Sequence, residues 1–241
     1  MMSHFFSGLR AVLYYVFLAV TAFFFTLVIF LLWPLPFKYG RLQMSRGWCW
    51  CAVQGGAWIC GLRYRLVGRQ NCPKTPAVYL IKHQSAWETI ALPALLPPSC
   101  CVAKEALLNI PFFGWSMRIC AHIPIDRKAT VSAFKKVIRM GKERIARGLS
   151  IMIFPEGTRV PPRAHPKFHR TAVMLALDAG VPVVPVAHNS GSCWTRNSFF
   201  KTPGLITVVI GKPIPSEGKT AEVLNNEVYE WIKKEMEILE K

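Results

Sequence analysis

The sequence predicts an α/β fold: a mixed, largely parallel sheet flanked by helices and preceded by an N-terminal membrane-embedded helical segment. Three observations predict it. An uncharged apolar run lies near the start, short apolar runs recur from about residue 66, and amphipathic stretches separate those runs. With 241 residues the chain has room for one domain with a sizeable core plus a short attachment. The expected division is therefore residues 1–65, membrane-anchoring helices, and residues 66–241, an α/β domain.

From Ala11 to Trp33 no residue is charged; Arg10 bounds the run before it, and Pro34, Pro36 and Lys38 follow. That is helix enough to cross a hydrocarbon core, which takes about 20 residues. The run is too long for the apolar part of a signal peptide, and no small-residue cleavage site follows it. A second stretch, Gly47 to Leu62, is aromatic and uncharged between Arg46 and Arg63. It is short for a full span and is expected to be interfacial or re-entrant. Lys38, Arg41 and Arg46 outweigh Arg10, so a spanning first helix would leave everything after it in the cytoplasm.

The expected strands are Ala77–Ile81, Cys100–Ala103, His122–Ile125, Ser150–Phe154, Val183–Ala187 and Leu205–Ile210. Between them, Val131–Arg147 places Val131, Phe134, Ile138 and Ile145 on one face and Lys135, Lys136, Arg139 and Lys142 on another, the pattern of a surface helix with a basic outer side. Thr220–Lys241 reads the same way, with Leu224, Val228, Trp231, Ile232 and Leu239 apolar.

Lysine and arginine number 30 against 13 acids, a formal charge of +17. The partners this favours are anionic. Mean hydropathy is +0.27, which is unusual for so basic a chain but suits a protein seated on anionic membrane lipids. A nucleic-acid binder is disfavoured, because there is no zinc-finger spacing, no clear helix-turn-helix and an apolar N-terminus. The eight cysteines form no C-x-x-C pair and no Cys/His set at zinc spacing, so no metal site is expected, and a reducing compartment is the easier reading.

Two motifs carry chemistry. In the segment Tyr79–Thr89, His83 falls at the end of a buried strand and Glu88 in the first turn of the following helix, where α/β folds place reactive groups. An ordinary histidine, with a pKa near 6.5, can accept and return a proton at neutral pH, and a carboxylate on its other nitrogen would fix the tautomer. Ser85-x-x-Glu88 is equally a capping box, with Glu88 reaching back to the Ser85 N–H. The second motif, Phe154-Pro155-Glu156-Gly157-Thr158-Arg159, follows another apolar strand. Gly157 permits close backbone approach, Thr158 offers a hydroxyl and Arg159 a planar fork suited to phosphate. Lys104 and Arg127 each lie just past a further expected strand.

In order, His83-x4-Glu88, Ile125-Asp126-Arg127, Phe154–Arg159 and the run Val181–Val186 resemble the four sequence blocks of the glycerophospholipid acyltransferases, particularly the bacterial 1-acylglycerol-3-phosphate acyltransferases. The resemblance runs from roughly Cys60 to Gly211, and FPEGTR is its most specific part. It implies His83 as base, the carboxylate of Glu88 as its orienter, and Lys104, Arg127, Glu156, Gly157, Thr158 and Arg159 as the acceptor phosphate site. The 181–186 strand would lie on the acyl-binding side. The family pattern has Asp where this chain has Glu88.

What the resemblance implies is acyl transfer from a thioester, carried by acyl carrier protein or coenzyme A, to the sn-2 hydroxyl of 1-acylglycerol-3-phosphate, giving phosphatidic acid with no bound cofactor. The acceptor's hydroxyl takes the place of a serine nucleophile, and the chain has no G-x-S-x-G elbow. Two other readings remain open: a different lysolipid acceptor, or a non-catalytic membrane module that binds anionic lipid. The basic helix 131–147 would suit an acidic carrier.

Overall fold

The computed structural model describes residues 2–31, 40–120, 122–126 and 130–241. Two helices come first, α1 (Met2–Leu31) and α2 (Gly40–Cys60), packed against each other. Within α1, Phe6–Leu31 has a hydropathy of 2.4 and is long and apolar enough to cross a membrane. Its 26 residues extend about 39 Å, more than the ~30 Å hydrocarbon core needs. Most of this helix faces outward: Val12, Val16, Val20, Phe24 and Leu31 are all exposed. An apolar surface of that extent indicates association with a membrane.

The Gly47–Leu62 stretch is the greater part of α2 and is largely covered by protein. Cys49, Ala52, Val53 and Cys60 are buried, while Trp50 and Trp58 remain exposed. Small residues let the two helices approach: a Cβ on Gly55 would fall 2.2 Å from the Phe17 ring.

The other elements are β1 (Leu62–Val67), β2 (Val78–Ile81), α3 (Trp87–Leu95), β3 (Ser99–Lys104), α4 (Phe113–Ile119), β4 (Ile123–Ile125), α5 (Thr130–Ala146), β5 (Ser150–Ile153), α6 (Thr171–Ala179), β6 (Val183–His188), α7 (Ser190–Cys193), β7 (Gly204–Ile210) and α8 (Ala221–Leu239). The described residues form a seven-stranded sheet in the order β1-β7-β6-β2-β5-β3-β4. All neighbours are parallel except β6 and β7.

The six expected strands match β2 to β7 within a residue at either end. β1 is an addition: Leu62, Tyr64 and Leu66 alternate with exposed Arg63 and Arg65, and the strand pairs with β7 from Leu62 to Val67. It straddles the expected boundary at 65–66, so the sheet starts before that point.

β2 and β5 are buried at every position, as central parallel strands require. One core, with Val78, Leu80 and Ile151, lies under α5, α6 and α8; the other, with Tyr79, Ile81 and Met152, lies under α2 and α3. Because β2, β5, β3, β4 and β6 are parallel and adjacent, the loops after them leave from one edge of the sheet. That edge carries His83, the 154–159 turn, Lys104 and His188. Arg127 lies outside the described residues.

Candidate active site

His83 lies two residues past the end of β2, and its Nδ1 is 2.9 Å from Oε1 of Glu88 in the first turn of α3. The same oxygen accepts from the backbone N–H groups of Gln84 at 2.9 Å and Ser85 at 2.8 Å. Oε2 accepts from the Ser190 hydroxyl at 2.8 Å. One carboxylate oxygen thus meets both the backbone N–H groups ahead of the helix and the imidazole, so the cap and the contact to His83 coexist. The Ser85 hydroxyl completes the cap by accepting from the Trp87 N–H at 3.0 Å. The longer glutamate side chain still reaches the ring at normal hydrogen-bond length.

Glu88 is fully buried. Burial by itself would push the carboxyl up, but in the acid range where it titrates, the His188 and His83 rings, protonated there, and the donated hydrogen bonds outweigh burial and hold it at about 2. An ionised carboxylate only accepts, so Nδ1 of His83 carries the hydrogen and Nε2 is the nitrogen left to take a proton. The depressed value also sets a stability window. Glu88 contributes fully above about pH 4.3, the unfolded value, and that contribution is lost as pH falls toward 2. An acid limb in the rate at any pH above 4 therefore belongs to another group.

Both loops hold the histidine by its backbone. The His83 N–H donates to Oε1 of Glu156 at 3.3 Å, and its carbonyl accepts from the Val160 N–H at 2.8 Å. Lys82, also buried, lies 3.3 Å from the same Glu156 oxygen and donates to the Ala164 carbonyl at 2.6 Å. The Lys82 carbonyl accepts from His188 Nε2 at 2.7 Å, and His188 Nδ1 accepts from the Ser190 N–H at 3.4 Å. This pair of bonds describes a neutral His188, whose pKa burial lowers.

The His83 ring stacks on Phe154 with centroids 4.2 Å apart. It lines a cavity of about 160 Å³ together with Lys104 and Arg159. Deeper in, Trp48, Cys49, Ile90, Pro93 and Met117 make the walls apolar, where α2, α3 and α4 meet. Gly157, Thr158 and Glu156 instead line an adjoining cavity of about 400 Å³ on the far side of Phe154. Gly157 has φ +68°, a left-handed turn that favours glycine.

The expected residues that are described thus fall into four placements. His83, Lys104 and Arg159 share one cavity, Gly157 and Thr158 line the adjoining one, Glu88 lies buried behind His83, and Glu156 is buried against Lys82 as a bridge between the two loops. Lys82, His188 and Ser190 were not read from the sequence. Their one local signal is position: Lys82 and His188 end or follow strands at the same sheet edge, and Ser190 begins the next helix.

The acyltransferase family model matches residues 63–189. A 1-acyl-sn-glycerol-3-phosphate acyltransferase of Pseudomonas aeruginosa is 38% identical over 234 residues, covering 95% of this chain and 91% of that one. The chain belongs to the acyltransferase family. The human 1-acyl-sn-glycerol-3-phosphate acyltransferase beta is 31% identical over 173 residues, 70% of this chain and 62% of the relative. In fold, the crystal structure of the 1-acyl-sn-glycerophosphate (LPA) acyltransferase PlsC from Thermotoga maritima superposes with a TM-score of 0.83 at 24% identity, covering 96% and 95% of the two chains.

The acyltransferase span takes in His83, Glu88, Lys104 and Arg159 and stops one residue short of Ser190. Ser190→Ala removes one donor from a buried carboxylate, and this is expected to cost about 1–3 kcal/mol of stability. Thermal unfolding in detergent checks the first effect. Steady-state kinetics should show a fall in kcat of about tenfold, with acceptor KM unchanged, because the imidazole loses part of its support; an unchanged kcat would leave Ser190 a purely structural partner.

Proposed function

We propose that this acyltransferase moves a fatty acyl group from a thioester to the sn-2 hydroxyl of 1-acylglycerol 3-phosphate, giving phosphatidic acid for phospholipid biosynthesis. The observation that carries the reading is one cavity lined by a carboxylate-backed imidazole, two cations and an apolar interior. His83 Nε2 takes the proton of the acceptor's hydroxyl as its oxygen attacks the thioester carbonyl. The C–S bond then breaks, and His83 returns the proton to the departing thiolate. Lys104 and Arg159 hold the acceptor's phosphate, with Arg127 a third cation proposed from its position after β4. Gly157 and Thr158 shape the turn that presents Arg159, and Glu156 holds that turn to the histidine loop.

The apolar walls from α2, α3 and α4 favour an acyl chain lying toward the membrane side. The charge pattern around α1 favours the cytoplasmic face of the inner membrane as the place of reaction. The thioester is carried by acyl carrier protein or coenzyme A.

The test is purified protein given acyl thioester with either 1-acylglycerol 3-phosphate or the matching lysophosphatidylethanolamine, with products identified by mass. A monoester phosphate gripped by two cations should raise kcat/KM at least about tenfold over the diester. Equal values would remove the phosphate site. Arg159→Lys replaces a two-pronged fork with a point charge and should raise the acceptor KM by about tenfold, with the donor KM unmoved. An unmoved acceptor KM would reassign Arg159.

A further inference from the structure

We infer that the basic outer face of α5 is a docking surface for an acidic acyl carrier protein, whose thioester arm reaches His83 through the cavity between α5 and the 154–158 turn. This rests on the acyl-transfer reading above and specifies its donor.

Three openings lie in succession, each sharing lining residues with the next. A surface groove of about 650 Å³ between α5 and α6 is lined by Phe134, Lys135, Ile138, Arg139 and Lys142. Phe134 also lines the 400 Å³ cavity, with Val137, Gly157 and Thr158. Val102 and Phe154 line that cavity and the catalytic cavity alike. The route crosses the sheet where it parts. β3 pairs with β5 only as far as Cys101 and Met152, then continues with β4 from Val102. A pantetheine arm, slender and flexible, suits such a passage, and the Thr158 hydroxyl and the backbone at Gly157 offer partners for its amides.

The groove's chemistry fits a protein better than a nucleotide. Over its 17 residues α5 carries Lys135, Lys136, Arg139, Lys142 and Arg144, with Glu143 its one acid. It is about 25 Å long, more than the phosphates of one coenzyme would cover. Arg139 pairs with Glu143 at 3.2 Å and Lys142 with Asp178 at 3.0 Å, but these are exposed pairs that exchange partners at little cost. Phe134, Ile138 and the 40%-exposed Met174 give the groove an apolar floor for the apolar side of an acidic helix. The side of α2, whose Trp48 and Cys49 line the catalytic cavity, is left to a lipid acceptor.

The experiment measures donor KM at saturating 1-acylglycerol 3-phosphate, with the whole protein in mixed micelles and one acyl chain delivered on acyl carrier protein or on coenzyme A. For Lys135→Glu/Arg139→Glu, two exposed positions, the carrier KM should rise at least about tenfold while the coenzyme A KM stays within about twofold. An unchanged carrier KM, an equal rise for both donors, or a wild type that rejects the carrier thioester would overturn the docking surface. Ala133→Phe narrows the passage both arms share, so both donor KM values should rise with the acceptor KM unmoved; unmoved donor values would overturn the passage. A wild type that acylates nothing from either thioester would instead sink the acyltransferase reading itself.

Discussion

His83→Asn is expected to lower kcat by about 10³–10⁴-fold while the protein folds and binds its acceptor normally. Asparagine is small enough for the site and can still donate an amide N–H toward Glu88. It offers no nitrogen that takes a proton at neutral pH. The backbone bonds of residue 83 to Glu156 and Val160 do not depend on its side chain, so the two loops stay joined. Rapid-quench measurement of acyl transfer, with the acceptor KM recorded alongside, checks this. A fall confined to KM would make His83 a binding group rather than the base.

Glu88→Gln should cost on the order of 10²–10³-fold in kcat. Glutamine's carbonyl oxygen can keep the N–H groups of Gln84 and Ser85 and the Nδ1–H of His83, and its amide can face the Ser190 oxygen after the hydroxyl turns. Every hydrogen bond has a replacement. What goes is the negative charge that stabilises the imidazolium formed as the acceptor's hydroxyl loses its proton. The substitution therefore separates the cap from the proposed catalytic role, since the cap survives and the charge does not. Unfolding midpoints near wild type with a large fall in kcat support the assignment. A kcat near wild type would leave Glu88 as a helix cap.

The central strands were legible because runs such as Val78–Ile81 and Ser150–Ile153 are buried on both faces and contain almost nothing but apolar residues. Their loops could then be placed at one sheet edge, and the resemblance to the acyltransferases joined His83, Lys104 and Arg159 into one expected site. β1 escaped because an edge strand facing solvent on one side carries Arg63 and Arg65, which look like the flank of the membrane segment. Their alternation with Leu62, Tyr64 and Leu66 was the signal.

The support behind the site is non-local. Ser190 meets Glu88 across 102 positions and His188 meets Lys82 across 106, and a place at the sheet edge does not by itself name the partner. The loop partner of Glu156 was hidden for another reason: a carboxylate inside FPEGTR reads as part of a binding turn, yet a buried lysine next to His83 claims it. The partition of the 154–159 turn between two cavities follows from where the Phe154 ring stacks, which spacing along the chain does not reveal.

The central claim is direct attack: the acceptor's own hydroxyl, activated by His83, meets the thioester with no acyl group stored on the protein. Mass measurement of the intact protein after mixing with acyl thioester alone tests it. The account predicts an unmodified chain, with thiol released only once 1-acylglycerol 3-phosphate is added. A chain heavier by one acyl group, formed without acceptor and discharged when acceptor is supplied, would contradict it.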